Sequence, residues 1–145
     1  MDMATFVSTK SKDRSMRCGI VIVGEGHCLL TSGYNGFPRG VDDYNEEYHK
    51  RPEKYVWTEH AERNAIYNAA RHGIKLLHST AYITGHPCIA CARALVQAGI
   101  VEVTIPPKHH DPFYLQGRWV DWEASFAKAR EIFKAGNVMV KEYGV

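Results

Sequence analysis

Three stretches of helical periodicity alternate with short apolar runs along most of this 145-residue chain, and that alternation limits the possible fold more than any other feature. Residues 58–72 (TEHAERNAIYNAARH) place Ala61, Ala65, Ile66, Ala69 and Ala70 at helical spacing, with Thr58 as N-cap and Gly73 just past the end. Residues 87–98 (PCIACARALVQA) predict a second helix, opened by Pro87 and closed at Gly99. Residues 121–135 predict a third, with Trp122, Phe126, Ala129 and Phe133 on one side and Gly136 at its end. The runs 79–84 (STAYIT), 101–105 and 138–142 read as strands. Ahead of them, 19–23 (GIVIV) and 28–32 (CLLTS) flank the turn Gly24-Glu25-Gly26 and predict a hairpin, preceded by a short N-terminal segment with helical character. The order β-β-α-β-α-β-α-β contains β-α-β units, which favour parallel strands and right-handed crossovers. The expected fold is therefore α/β, a three-layer α/β/α sandwich with a mixed five-stranded sheet.

The length fits a single domain over residues 1–145, large enough to bury roughly two-thirds of its unfolded surface. Apolar residues at 45% and charged residues at 23% match an ordinary globular protein. The first residues lack the apolar core of a secretory signal and no run is long enough to span a membrane, so a cytoplasmic location is expected. A net charge of +2, with a local excess only at Lys10, Lys12, Arg14 and Arg17, is too small for a surface that binds a nucleic acid polymer, though it suits a small anion. Four cysteines without any other secretory feature favour metal binding or free thiols over disulfides.

The chemistry concentrates in two motifs, His60-Ala61-Glu62 and Pro87-Cys88-Ile89-Ala90-Cys91, each at the start of a predicted helix. Cys88 and Cys91 are three apart, so they share a helix face and reach one ion. The positive helix N-terminus favours the thiolates that zinc requires. His60 and Glu62 diverge by about 200° on a continuous helix, so both address one site only if it lies beyond the helix end. Two thiolates and one imidazole leave a fourth tetrahedral position for water, the arrangement of a catalytic zinc. Such an ion lowers the pKa of its water towards ~7, and Glu62 then carries the proton. H-x-E followed by P-C-x-x-C is also the pattern of zinc deaminases, in which the Glu is the acid/base and not a ligand.

With these motifs on the page, the chain resembles the deoxycytidylate deaminases of the cytidine deaminase-like superfamily. The resemblance runs through Ser11-Lys12-Asp13, GYNGFPRG at 33–40, HAERNAI at 60–66, PCIACA at 87–92 and QAGI at 97–100. It implies hydrolytic deamination of dCMP to dUMP, supplying thymidylate synthesis, with one zinc per chain held by His60, Cys88 and Cys91. It implies substrate contacts from Asn35, Ala61 and His109. It also implies a regulatory site near Lys12, Asp13, Asn35, Gly36 and Arg39, activated by dCTP and inhibited by dTTP, where Mg²⁺ would accompany the triphosphate. Arg71 matches a position linked to subunit contacts, and the usual assembly is a homohexamer. Two departures stand out: Arg14-Ser15-Met16-Arg17 follows the SKD segment in place of proline and a small polar residue, and Lys108-His109-His110-Asp111 replaces a Tyr before His-Asp.

The remaining candidates have ordinary expectations. Cys18 and Cys28 read as small core residues of the hairpin. His27, His49, His72, His78 and His86 read as solvated or loop residues, with His86 next to the site through Pro87. Trp57, Trp119 and Trp122 read as core or subunit interface, and Glu59 as a helix-dipole charge. Other functions to weigh are a nucleoside or free-base deaminase, a zinc-stabilised nucleotide sensor without turnover, and a polynucleotide editor, which would want a larger basic surface.

Overall fold

β1 (Gly19–Val23) is buried at all five positions, as befits a strand covered on both faces. It pairs antiparallel with β2 (Leu29–Tyr34) on one side and with β3 (Ser79–Ile83) on the other. β4 (Ile100–Ile105) and β7 (Met139–Glu142) follow parallel to β3, so the mixed sheet has the order β2-β1-β3-β4-β7. The computed structural model describes residues 1–107, the backbone of 113–115 and 118–120, and residues 122–144. No described helix is long and apolar enough to cross a membrane.

Three helices link these strands. α4 (Ala61–Arg71), α5 (Ile89–Ala98) and α6 (Glu123–Ala135) follow β2, β3 and β4 in turn. Each crossover moves the same way along the sheet, so right-handed connections put all three helices on one face. There Ala65, Ala69, Leu95 and Phe133 merge with Ile20, Ile22, Ile83 and Val103 into the main core. On the other face α1 (Asp2–Ser8) sets Ala4 and Val7 against Val21 and Val23. The result is the expected three-layer sandwich, with its second helical layer supplied, among the described residues, by the N-terminal helix.

The small residues of α4 have a specific use. At Gly33 an added Cβ would lie 2.5 Å from both the Ala61 carbonyl oxygen and the Ala65 nitrogen. Strand and helix backbones therefore touch directly. The amides of Asn64 and Asn68 donate to the carbonyls of Tyr34 and Ser32 at 2.8 Å, satisfying acceptors that an edge strand would otherwise leave open. Gly33→Ala is expected to destabilise the protein by about 1–3 kcal/mol or more through overpacking, read as a lower midpoint in denaturant unfolding.

Several boundaries differ from the sequence expectation. α4 begins at Ala61 with His60 as N-cap, and Thr58 does not cap it. The cause is long-range: Glu59 pairs with Gly36 in an antiparallel bridge that keeps the preceding backbone extended. α5 likewise begins at Ile89 with Cys88 as N-cap, and closes at Gly99 in the left-handed region, φ 88°. Gly73 at φ 64° ends α4 as expected, whereas at the end of α6 the left-handed residue is Asn137, φ 55°, and Gly136 is not. The polar stretch after the GYNG loop contains two short helices, α2 (Glu46–His49) and α3 (Lys54–Trp57). A separate ribbon of β5 (Phe113–Leu115) and β6 (Arg118–Val120) was not anticipated. Cys28 corrects another expectation: it is exposed after a tight 3₁₀ turn at Glu25–His27, and only Cys18 packs against the core.

Candidate active site

Because β2 and β3 both run antiparallel to β1, their carboxyl ends lie at the same edge of the sheet. α5 starts there directly after β3. α4 starts there once the Gly36 to Glu59 bridge has returned the long loop. This is the edge at which open α/β sheets bind ligands.

The two N-caps carry the donors. His60 has extended backbone, φ −78° and ψ 151°, so its imidazole leaves the helix while Glu62 stays in the first turn. That resolves the 200° divergence expected on a continuous helix. His60 Nδ1 lies 3.6 Å from Cys88 Sγ and 3.4 Å from Cys91 Sγ. The three donor atoms all fall within 4.8 Å of one another. With Zn–S near 2.3 Å and Zn–N near 2.0–2.1 Å, a tetrahedral ion requires N···S edges of about 3.5 Å. The residues therefore fit zinc.

Without the ion, the two sulfurs ionise unequally. A hydrogen bond from the Cys91 thiol, helped by His60 and opposed by burial, lowers the Cys88 thiol to about 3. The neighbouring Cys88 sulfur, then burial, push Cys91 strongly up. The hydrogen bond to Cys88 also raises His60 against its own burial. Glu62 is 6% exposed, and burial pushes its carboxyl up despite the opposing pull of His60. A carboxyl raised in this way is a better proton acceptor than an exposed one, as a shuttle requires. Glu59, expected only as a dipole charge, accepts from the His60 N–H at 2.8 Å and from Arg63 Nε at 2.7 Å. It thereby fixes the N-cap that presents His60.

A cavity of about 410 Å³ opens over these donors, within the range of small-molecule sites. His60, Ala61, Glu62 and Cys88 are among the residues that line it. Asn35 also lines it and is buried. Its Oδ1 accepts from Cys18 N–H and its Nδ2 donates to Met16 carbonyl, both at 2.8 Å, leaving one N–H and one lone pair. Burial, with the Glu62 charge nearby, raises the Cys18 thiol to about 12, so this wall carries a neutral thiol. Trp122 and Phe126 form an apolar wall, and buried His86 sits 5.3 Å from the Phe126 ring. His86 lies in the loop before Pro87 and adjoins the site as expected, but it is buried and not solvated, and Trp122 lines the cavity. His109, with Lys108, His110 and Asp111, lies outside the described residues, as does the Trp119 side chain.

Sequence reasoning missed Lys54. Its ammonium is buried on α3 and donates to Asp13 Oδ2 at 2.8 Å, Asp13 Oδ1 at 2.9 Å and Ser15 Oγ at 2.6 Å. Burial alone would raise the Asp13 carboxyl. The Lys54 ammonium and the N–H groups of Met16 and Ser15 outweigh it and hold Asp13 below the usual carboxylate range. This network, with Asn35 on its other side, fixes the 13–18 loop as a cavity wall. Lys54→Met strands a buried carboxylate and is expected to cost about 3–5 kcal/mol at neutral pH, measured by urea unfolding. A lowered carboxyl contributes stability above its ordinary range and loses it as pH falls through the folded value, so the gap to wild type closes in acid.

Among the positions expected near an effector, Lys12, Asp13 and Gly36 line a narrow cleft beside Phe37 and His49. Lys12 pairs with Asp43 at 2.6 Å, and Arg14 with Glu46 at 2.5 Å. Arg39 is bonded to Asn68 on α4, outside that cleft. Arg71 is exposed in the last turn of α4.

Comparison with known proteins agrees with the donor set. Residues 1–106 match the cytidine and deoxycytidylate deaminase zinc-binding region. A probable deoxycytidylate deaminase of Caenorhabditis elegans is 40% identical over 104 residues, 70% of this chain and 52% of the relative, so the chain spans about half that protein's length. A deoxycytidylate deaminase of Mus musculus is 31% identical over 148 residues, 99% of this chain and 76% of the relative. Among solved structures, the dCMP deaminase of cyanophage S-TIM5 in complex with dCMP and dUMP has the same fold, with a TM-score of 0.75, 22% identity, and coverage of 97% of this chain and 91% of that one. The two helix-start motifs, the donor triangle they build and the family match over residues 1–106 lead to one conclusion: the chain belongs to the zinc-binding cytidine and deoxycytidylate deaminase family.

Proposed function

We propose that the protein hydrolyses dCMP to dUMP and ammonia. The observation that carries this reading is the buried Glu62 carboxyl lining the same cavity as His60 and Cys88, two members of the zinc-fitting His60, Cys88 and Cys91 triangle. The name deoxycytidylate deaminase, borne by relatives 31–40% identical, supports the substrate.

His60, Cys88 and Cys91 would hold the zinc, which would supply the Lewis acidity that lowers the pKa of a water towards neutral pH. Glu62 accepts that water's proton and passes it to N3 of the cytosine as oxygen adds to C4. It then moves the second proton to the exocyclic amine, the C4–N bond breaks, and ammonia leaves. Water in and ammonia out balance the reaction. Trp122 and Phe126 give the base an apolar wall, Ala61 contributes backbone beside it, and the spare N–H and lone pair of Asn35 suit a sugar hydroxyl. His109 is a further candidate contact.

The same proposal extends to regulation: dCTP activating and dTTP inhibiting, with Mg²⁺, around Lys12, Asp13, Asn35, Gly36 and Arg39. It extends also to a homohexamer with Arg71 at a subunit contact, one zinc per chain, and dUMP feeding thymidylate synthesis. Lys12 spends one of its three N–H donors on Asp43, so an effector phosphate would share this exposed ammonium with Asp43. The test is ammonia release from dCMP, deoxycytidine and guanine by zinc-loaded protein, with and without dCTP and dTTP. Turnover restricted to dCMP is expected. Faster turnover of deoxycytidine or guanine overturns the substrate, and tight dCTP binding without ammonia release overturns the enzyme.

A further inference from the structure

A nucleoside monophosphate brings about two negative charges into the cavity, and a cation must meet them. Of the basic residues in the SKD loop, Lys12 and Arg14 are paired with Asp43 and Glu46, and neither lines the cavity. Lys54 lines it, but all three of its N–H donors are spent on Asp13 and Ser15 at 2.6–2.9 Å. The other Lys or Arg among the described lining residues is Arg51, in the turn before α3. Its guanidinium carbon stands 5.9 Å from the centre of the Tyr55 ring, which lines the same wall. An arginine has five donors in a planar fork, so it engages a phosphate in bidentate fashion while keeping other contacts. Arg51 and Tyr55 are both exposed, whereas Glu62 is buried. The cavity thus passes from a buried end that suits the base to an open end that suits the charged group.

We propose that Arg51, backed by Tyr55, reads the 5′-phosphate and makes this a nucleotide site rather than a nucleoside site. The inference rests on the monophosphate substrate of the preceding section. Its test compares kcat/KM for dCMP and deoxycytidine in wild type, Arg51→Gln and Arg51→Lys, all zinc-loaded. Loss of two charge-assisted hydrogen bonds predicts a fall of about 100-fold for dCMP in Arg51→Gln, mainly in KM, at least tenfold larger than the fall for deoxycytidine. Arg51→Lys is expected to lie between, since an ammonium supplies charge without the fork. Inorganic phosphate should inhibit wild type more strongly than Arg51→Gln. An Arg51→Gln enzyme that keeps the wild-type preference for dCMP, or that loses both substrates equally, overturns the role of Arg51 and leaves the dCMP reading standing. A wild type indifferent to the phosphate overturns the dCMP reading itself, and this inference with it.

Discussion

Glu62→Gln is expected to keep zinc at the wild-type ratio and to lower kcat for deamination by about 10³-fold or more. General acid–base catalysis contributes about 10²–10⁴-fold, and here one carboxylate is asked to serve two proton transfers. Glutamine preserves the shape and the hydrogen-bonding reach of the side chain in its buried site. The substitution leaves His60, Cys88 and Cys91 themselves in place, so metal content separates loss of chemistry from loss of the ion. The pH profile adds a second readout. Burial pushes the Glu62 carboxyl up, and the base must be ionised to act, so wild-type turnover falls as pH drops through that raised value. The variant should lack this limb. A Gln enzyme that retains zinc and more than a tenth of wild-type turnover would show that another group moves the proton.

Cys91→Ser is expected to remove zinc and abolish turnover. Cys91 is fully buried in the first turn of α5, and a serine hydroxyl does not become the anion that a thiolate is. The triangle then loses one of its three ligands. Zinc that binds only the folded state stabilises it by about 4 kcal/mol when free metal exceeds the dissociation constant a thousandfold. For a chain of this size that is roughly 10 °C in Tm. Calorimetry with and without zinc should show this difference in wild type and none in the variant. Chelation of wild type should reproduce the variant, and added zinc should restore only the former. Because Cys91 and His60 are raised in the metal-free site, zinc uptake releases protons and weakens as pH falls. Unchanged zinc content in Cys91→Ser would mean that the ion is held elsewhere.

What the sequence made legible follows the range of the forces involved. Gly73 and Gly99 mark helix ends because a left-handed residue is a local requirement. Cys88 and Cys91 converge because three residues make nearly one turn. The donor set, the parallel pairing of the β-α-β strands and the layer count were all readable for that reason. The start of α4 was not, since a bridge to Gly36, 23 positions earlier, holds Glu59 extended and so makes His60 the cap. Lys54 and Arg51 were hidden in a stretch that looks polar throughout, where nothing local says which cation turns inward. Trp122 and Phe126 were found on the correct side of α6, but amphipathic spacing does not distinguish a core from a cavity wall.

Gly33 carries a consequence for the site that lies some way along the chain from it. Where the strand meets α4, backbone rests on backbone at Ala61 and Ala65, and there is no rotatable side chain between them to hop from one rotamer to another. The height of the α4 amino end above the sheet is therefore set by atoms that have a single arrangement. His60 and Glu62 inherit that fixed height. A substitution at Gly33 therefore reaches His60 and Glu62 by lifting the helix that carries them, without touching either side chain.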